Sequence, residues 1–274
     1  MSKISNQWAI RDSGNILFKD IATNEIKAIV TSSKTFELST TGETVYARGG
    51  YGNPKLVSFK GNKETTVTAT AALFDNSLLA LQLGSDLKTG NIIIPINNDK
   101  SKATTDATDV SVTPTFQVAS NIFFSVVSLI DNGLTVETRY ELNATAADSS
   151  ELAEGEYTVK NGKVLLPIAD VGKEIALFYE GSVNEAYSIV NTSKKFAGEY
   201  RVEVEVIVKD AQNSKEYSGL LIFPKASLTD EITLSLSVDG DPSVQNIGFD
   251  ALEIPGQDIQ YQLVIFDKEE IVTE

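Results

Sequence analysis

The sequence predicts an all-β fold, a sandwich carrying one α-helix. Three observations carry this reading. Short runs rich in Val, Ile and Thr alternate in polarity with period two, turn residues separate them, and one segment has a helical signature. The clearest run is Val202 to Val208, where Val202, Val204, Val206 and Val208 fall on one face and Glu203 and Glu205 on the other, with Ile207 as the exception. Thr65 to Ala71 is similarly β-prone, and Thr66, Thr68 and Thr70 make a hydroxyl stripe along one face. Thr233 to Val238 alternates again before Asp239-Gly240-Asp241-Pro242 breaks it. Asp131-Asn132-Gly133 and Asn161-Gly162 suit hairpin turns.

The helix is expected near Asn76 to Leu83. Asp75 or Asn76 can cap it, Leu78, Leu79, Leu81 and Leu83 supply an apolar face, and Gly84 is placed to end it in the left-handed conformation. So short a helix depends on packing against a sheet, because its own propensity cannot sustain it. Two polar stretches interrupt the pattern. Asn97 to Pro114 reads as a mobile connection or the start of an insertion, and Ala144 to Glu154 is a second polar segment.

Composition excludes several classes of chemistry. The 274 residues include no Cys and no His, which removes Cys/His zinc sites, disulfides, thiol nucleophiles and histidine bases. The net charge is −15 and unevenly placed: residues 1–98 carry 10 basic and 8 acidic side chains, residues 99–274 carry 13 and 30. Such a surface repels nucleic acid and favours solubility. Met1 to Trp8 holds no apolar run of signal-peptide length, and no stretch approaches the ~20 apolar residues of a membrane span. The expectation is a product made and kept in the host cytoplasm, or released by lysis, with no membrane partner.

No motif assembles a catalytic, cofactor or metal site. Gly49, Gly50 and Gly52 lack phosphate-loop spacing and read as a turn, with Arg48, Tyr51 and Lys55 free to touch a neighbouring chain. Asp239, Asp241 and Asp250 do not follow the calcium-loop pattern. No GxSxG elbow occurs, no carboxylate pair is marked out for glycoside hydrolysis, and the Asn143-Ala144-Thr145 sequon has no secretion signal to give it meaning. The chain is therefore expected to be structural and not an enzyme, with no cofactor.

Two separated segments resemble a known family. The first is Arg48-Gly49-Gly50-Tyr51-Gly52-Asn53-Pro54-Lys55-Leu56-Val57-Ser58-Phe59, then Asn62-Lys63-Glu64, the Thr-rich strand and Ala72-Leu73-Phe74-Asp75. The second is Gly219-Leu220-Leu221-Ile222-Phe223-Pro224-Lys225-Ala226, then Thr233 to Leu236, Gly240-Asp241-Pro242 and Ala251-Leu252. Both resemble the major tail, or tail tube, proteins of tailed bacteriophages infecting Gram-positive bacteria. Gly155 to Gly162 leading to Gly172 to Tyr179 resembles a hairpin segment of such virion proteins.

The resemblance implies a tail-tube-type β-sandwich with one flanking helix. Residues 1–97 and 171–274 would form the sandwich, and 98–170 a β-rich insertion or elaboration. It further implies a virion tail protein whose six copies form rings that stack into a hollow conduit for DNA ejection. Double-stranded DNA would pass through without specific binding, and tape-measure, sheath and tail-terminator proteins are candidate partners. Arg48, Gly49, Gly50, Tyr51, Gly52, Asn53, Pro54 and Lys55 are the candidate inter-ring loop. From alternation alone, Glu203 and Glu205 are the candidate lumen-facing residues. The alternatives are a capsid decoration or other head- or tail-associated protein, and a carbohydrate-binding module.

Overall fold

The computed structural model describes residues 5–106, 108–130, 135–234 and 242–267. Four strands come first, β1 (Trp8–Lys19), β2 (Ile26–Val30), β3 (Ser33–Arg48) and β4 (Lys55–Ala71), followed by helix α1 (Asn76–Gln82). The middle of the chain holds β5 (Lys88–Lys102), β6 (Thr104–Asp106), β7 (Asp109–Val112), β8 (Gln117–Ile130), β9 (Thr135–Leu142), β10 (Glu156–Lys160), β11 (Lys163–Leu166) and β12 (Glu174–Ser188). The last strands are β13 (Glu199–Asp210), β14 (Glu216–Leu228), β15 (Gln245–Ala251) and β16 (Gln262–Phe266). The fold is all-β with one α-helix among the described residues, as expected. The chain divides into two units, 1–87 with 189–274, and 88–188.

In the first unit the strands run β2-β1-β13-β14-β15-β4-β3, all antiparallel, and β16 joins β14 beyond the end of β15. The sheet curls until Ser13 Oγ on β1 lies 3.0 Å from Ser33 Oγ on β3. One core fills the space enclosed, with Ile16, Phe18, Val67, Val204, Phe223 and Phe249 among its members. Phe223 and Phe249 meet edge to face at 5.1 Å. Alternation explains this placement: Val202, Val204, Val206 and Val208 are all buried, and so are Val67, Ala69 and Ala71 beneath the threonine stripe.

Helix α1 lies at the expected place. Asp75 Oδ1 accepts from the Leu78 N–H at 2.8 Å, which makes it the N-cap. Leu78 and Ala80 are buried, and so is Gln82, which the apolar-face reading does not anticipate. Gln82 Nε2 donates to the Asn246 carbonyl at 2.8 Å, and Gln82 Oε1 accepts from Gln245 Nε2 at 3.0 Å. Its amide is thereby satisfied against β15, which removes most of the cost of burying it.

The second unit has the strand order β5-β12-β8-β9-β10-β11-β7-β6, antiparallel except for a short parallel pairing of β9 with β10. Its own core includes Phe123, Val126, Tyr157, Val164, Ile175 and Tyr179, and shares no residue with the first. Buried tyrosines anchor it. The Tyr179 hydroxyl donates to Asp99 Oδ2 at 2.8 Å and accepts from the Phe116 N–H at 3.1 Å, and burial pushes its pKa up to about 12. The Tyr140 hydroxyl donates to Asp170 Oδ2 at 3.0 Å, while Lys173 Nζ lies 2.9 Å from Asp170 Oδ1. The Asn161-Gly162 hairpin is present, with φ of +51° and +75° joining β10 to β11.

Three expectations need revision. The polar stretch 97–114 is not a loose connection: it contains the end of β5 and all of β6 and β7. Pairing with β12 and β11 satisfies this backbone whatever its side chains, and Val110, Ser111 and Val112 are buried. The unit's limits, 88 and 188, lie outside the expected 98 and 170. Antiparallel pairing from Lys88↔Ser188 to Lys102↔Glu174 binds the flanks to the rest of it. Thr233 and Leu234 are outside any strand, and the remainder of the expected strand, Ser235 to Val238, lies outside the described residues. The Asp131-Asn132-Gly133 turn also lies outside them. At the end of β14 its neighbour is instead β15, pairing Ala226 with Ala251 and Leu228 with Phe249.

Candidate assembly surfaces

Strands β3 and β4 pair along their whole length, from Ser33↔Ala71 to Arg48↔Lys55. The other neighbour of β4, β15, stops at Thr66. Residues 41–64 therefore form a two-stranded arm whose strands have only each other as strand partners among the described residues. By strand rise it is roughly 25 Å long. The pairs Val45↔Phe59 and Ala47↔Val57 place these side chains on one face of the arm. Val45, Val57 and Phe59 are 57%, 53% and 61% exposed. A lone hairpin with an apolar face is marginal in water, and such a surface marks a contact site.

The expected loop forms the tip of this arm. Gly50 and Gly52 take φ of +83° and +82°, and Asn53 takes +48°. The Asn53 N–H donates to the Gly50 carbonyl at 3.0 Å, and the Gly49 N–H to Pro54 at 3.3 Å. Tyr51 stands fully exposed. Lys55 folds back with its ammonium 3.8 Å from the centre of the Tyr46 ring. Arg48 and Lys55 thus give the tip a positive character.

On β13 the four valines face the core and Glu203 and Glu205 the opposite side. The two glutamates differ. Glu203 Oε2 meets Lys19 Nζ at 2.6 Å and its Oε1 meets Arg201 Nε at 2.8 Å. Desolvation raises the Glu203 pKa, but the hydrogen bonds and charges of Lys19 and Arg201 outweigh it and hold the carboxyl below its usual value. Glu205 accepts from Asn15 Nδ2 at 3.1 Å. Leu17, Leu220 and Ile222 pair with these glutamates across the strands, so the same face carries apolar side chains between its charges.

The remaining acid positions do not converge. Asp239 and Asp241 lie outside the described residues, while Asp250 is exposed on β15. Among the described residues no group of three acidic side chains is arranged to hold a metal ion. The Asn143-Ala144-Thr145 segment is a turn in which Asn143 Oδ1 accepts from the Thr145 N–H and hydroxyl. No helix among the described residues is long and apolar enough to cross a membrane.

Residues 8–262 match the YomU/Tube protein family. The chain belongs to this family. It is also 24% identical over 251 residues to the "Tail tube protein" of Bacillus phage SPR, a match covering 89% of this chain and 83% of that one. The family expected from the segments at Arg48 to Phe59 and Gly219 to Ala226 is the family found, and the match runs through the second unit as well.

In this YomU/Tube family member, sequence reading singled out the tip of the arm and missed its shaft. The signal was present: Val45, Tyr46, Val57 and Phe59 flank the glycine cluster symmetrically. What the pattern cannot tell is that no further strand covers them. It also missed Lys19 and Arg201 as the counter-charges of Glu203, since Lys19 lies 184 residues away in the chain.

Proposed function

We propose that this chain is the repeating subunit of a phage tail tube, with six copies per ring and rings stacked into a hollow conduit for DNA ejection. Its role is structural and its place is the virion tail. The observation that carries the reading is the arm, a projecting hairpin with an uncovered apolar face, in a chain matching the family over residues 8–262. A protein that works alone has no use for such a surface; one that polymerises does.

In this reading the arm, with Arg48 to Lys55 at its tip, reaches a subunit of the next ring. The sheet β1-β13-β14-β16 lines the lumen, joined edge to edge with its neighbours so that no strand edge is left open. Glu203 and Glu205 then face the channel. The ion pairs of Glu203 make that wall close to neutral there, with Glu205 adding negative charge. A wall without excess cation does not hold phosphates, and DNA slides past it. The second unit is an elaboration of the tube fold. Tape-measure, sheath and tail-terminator proteins are the partners such a tube implies.

Electron microscopy of the purified protein tests the reading: stacked rings with six-fold symmetry are expected. Deletion of Arg48 to Lys55 is expected to leave a folded monomer that does not polymerise. Normal tubes from the deletion would remove the tip from the mechanism, and a ring with both glutamates turned away from the channel would remove their lumen role.

A further inference from the structure

Among the described residues, the core of the first unit is open on one side. A groove of about 540 Å³ is lined by Phe36, Leu38, Val206, Leu221, Tyr261 and Leu263. Val206 and Leu221 belong to the buried core, whereas Phe36, Leu38 and Leu263 are only partly covered. The groove is therefore a window onto the core. Leaving such surface in water forgoes roughly 25 cal/mol for every Å².

The same chain carries a matching apolar strip, Val45, Val57 and Phe59 on the arm. It cannot reach its own groove. Leu38 in the groove and Val45 on the arm lie seven residues apart on one strand, roughly 23 Å at strand rise. Continuous pairing with β4 on both sides of the Thr41/Glu43 irregularity keeps them apart. An arm seated there therefore comes from another copy. Charge acts only at long range: Arg48, Lys55, Lys60 and Lys63 against Glu43 and Glu64 leave the arm with two net positive charges in a chain of net −15, while the groove's own rim, Arg11 and Lys34 against Asp12, adds no attraction. The arm of one copy is attracted to the body of the next.

We propose that the apolar face of the arm from one copy seats in the groove of another copy, with Phe59 as the central anchor. This rests on the tail tube reading and specifies its docking partner. Each copy offers one arm and one groove, so the contact is heterologous: it closes into rings or propagates as a filament and is not exhausted in a dimer. It also closes the receiving copy's core.

The absence of cysteine makes a direct test available. Phe59→Cys protein is mixed with Leu263→Cys protein, assembled and oxidised mildly. Phe59→Cys mixed with Thr68→Cys, on the outer face of β4, is the control. Heterodimers linked through Leu263 are expected in at least roughly tenfold excess over those through Thr68, with Tyr261→Cys at the groove as a second reporter should Leu263→Cys fail to fold. Phe59→Ser is expected to raise the concentration needed for assembly roughly tenfold or more, with unchanged monomer melting. Tubes that cross-link through Thr68 and neither groove position would overturn the groove and leave the tail tube reading standing, as would unaltered assembly of Phe59→Ser. A protein that stays monomeric under every condition would overturn both.

Discussion

At Gly84 the backbone takes φ of +57°, and a Cβ there would lie 2.0 Å from the Phe196 carbonyl oxygen. The left-handed turn ends α1, and the close approach brings the chain returning at Phe196 against it. Gly84→Ala meets both obstacles, the strain and the clash with backbone that cannot swing aside. We expect a loss of about 2–4 kcal/mol in chemical denaturation. Asp210 is a second single-residue device. Its carboxylate accepts from the Ser5 N–H at 2.7 Å, the Ser5 hydroxyl at 2.9 Å and the Gln212 N–H at 2.8 Å, tying the start of the described chain to the β13–β14 turn. The Ser5 N–H leads in lowering its pKa from 3.8 to about 2, against desolvation, which raises it. The folded value lies below the unfolded one, so this contribution is complete above 3.8 and is lost as pH falls through about 2. Protection of the Ser5 and Gln212 amides from hydrogen exchange should fall across that window. Asp210→Asn should weaken it at neutral pH and remove the acid dependence.

At the scale of elements, β13 is held by valines on one side and by a small ionic network on the other. The side chain of Glu203 is 13% exposed, so removing its partners strands a mostly desolvated carboxylate. Lys19→Ala with Arg201→Ala should cost on the order of 2 kcal/mol, and adding Glu203→Gln to that pair should recover part of it. A double variant as stable as the parent would mean the network contributes nothing, and a triple no more stable than the double would mean that Glu203 is not left desolvated. The arm is the opposite kind of element. Residues 41–64 bury almost nothing, so trimming its tip should leave the melting temperature of the monomer within about 1–2 °C of the parent. A large drop would show that the arm supports its own chain.

At the scale of the whole molecule, the two cores are separate, and the second unit leaves and re-enters the chain at one place. Lys88 and Ser188 are paired neighbours on β5 and β12. Replacing residues 88–188 by a short glycine-rich linker between Leu87 and Ile189 should therefore preserve the first unit. Circular dichroism and a single cooperative melt would check this, and loss of the fold would mean that the units depend on each other. A basic arm on an acidic chain also makes assembly salt-dependent: the concentration needed for polymerisation should rise between low and physiological ionic strength. In the proposed docking, apolar contact sets the remainder, which salt does not remove.

Sequence by itself determined the local and periodic features. Alternation fixes which face of Val202 to Val208 is buried, and a capping aspartate and a terminal glycine bracket α1. The Asn161-Gly162 pair sets its hairpin, and missing His and Cys restrict the chemistry. Each depends on neighbours in the chain, and so is written in it. The tertiary structure alone decided where the polar residues 97–114 go, because pairing with β12 and β11 overrides their polarity. It decided that Gln82 is buried, because its partner Gln245 is 163 residues away. It decided which cations neutralise Glu203. It also decided that the apolar residues flanking the glycine cluster stand uncovered, since coverage depends on which strands end beside them.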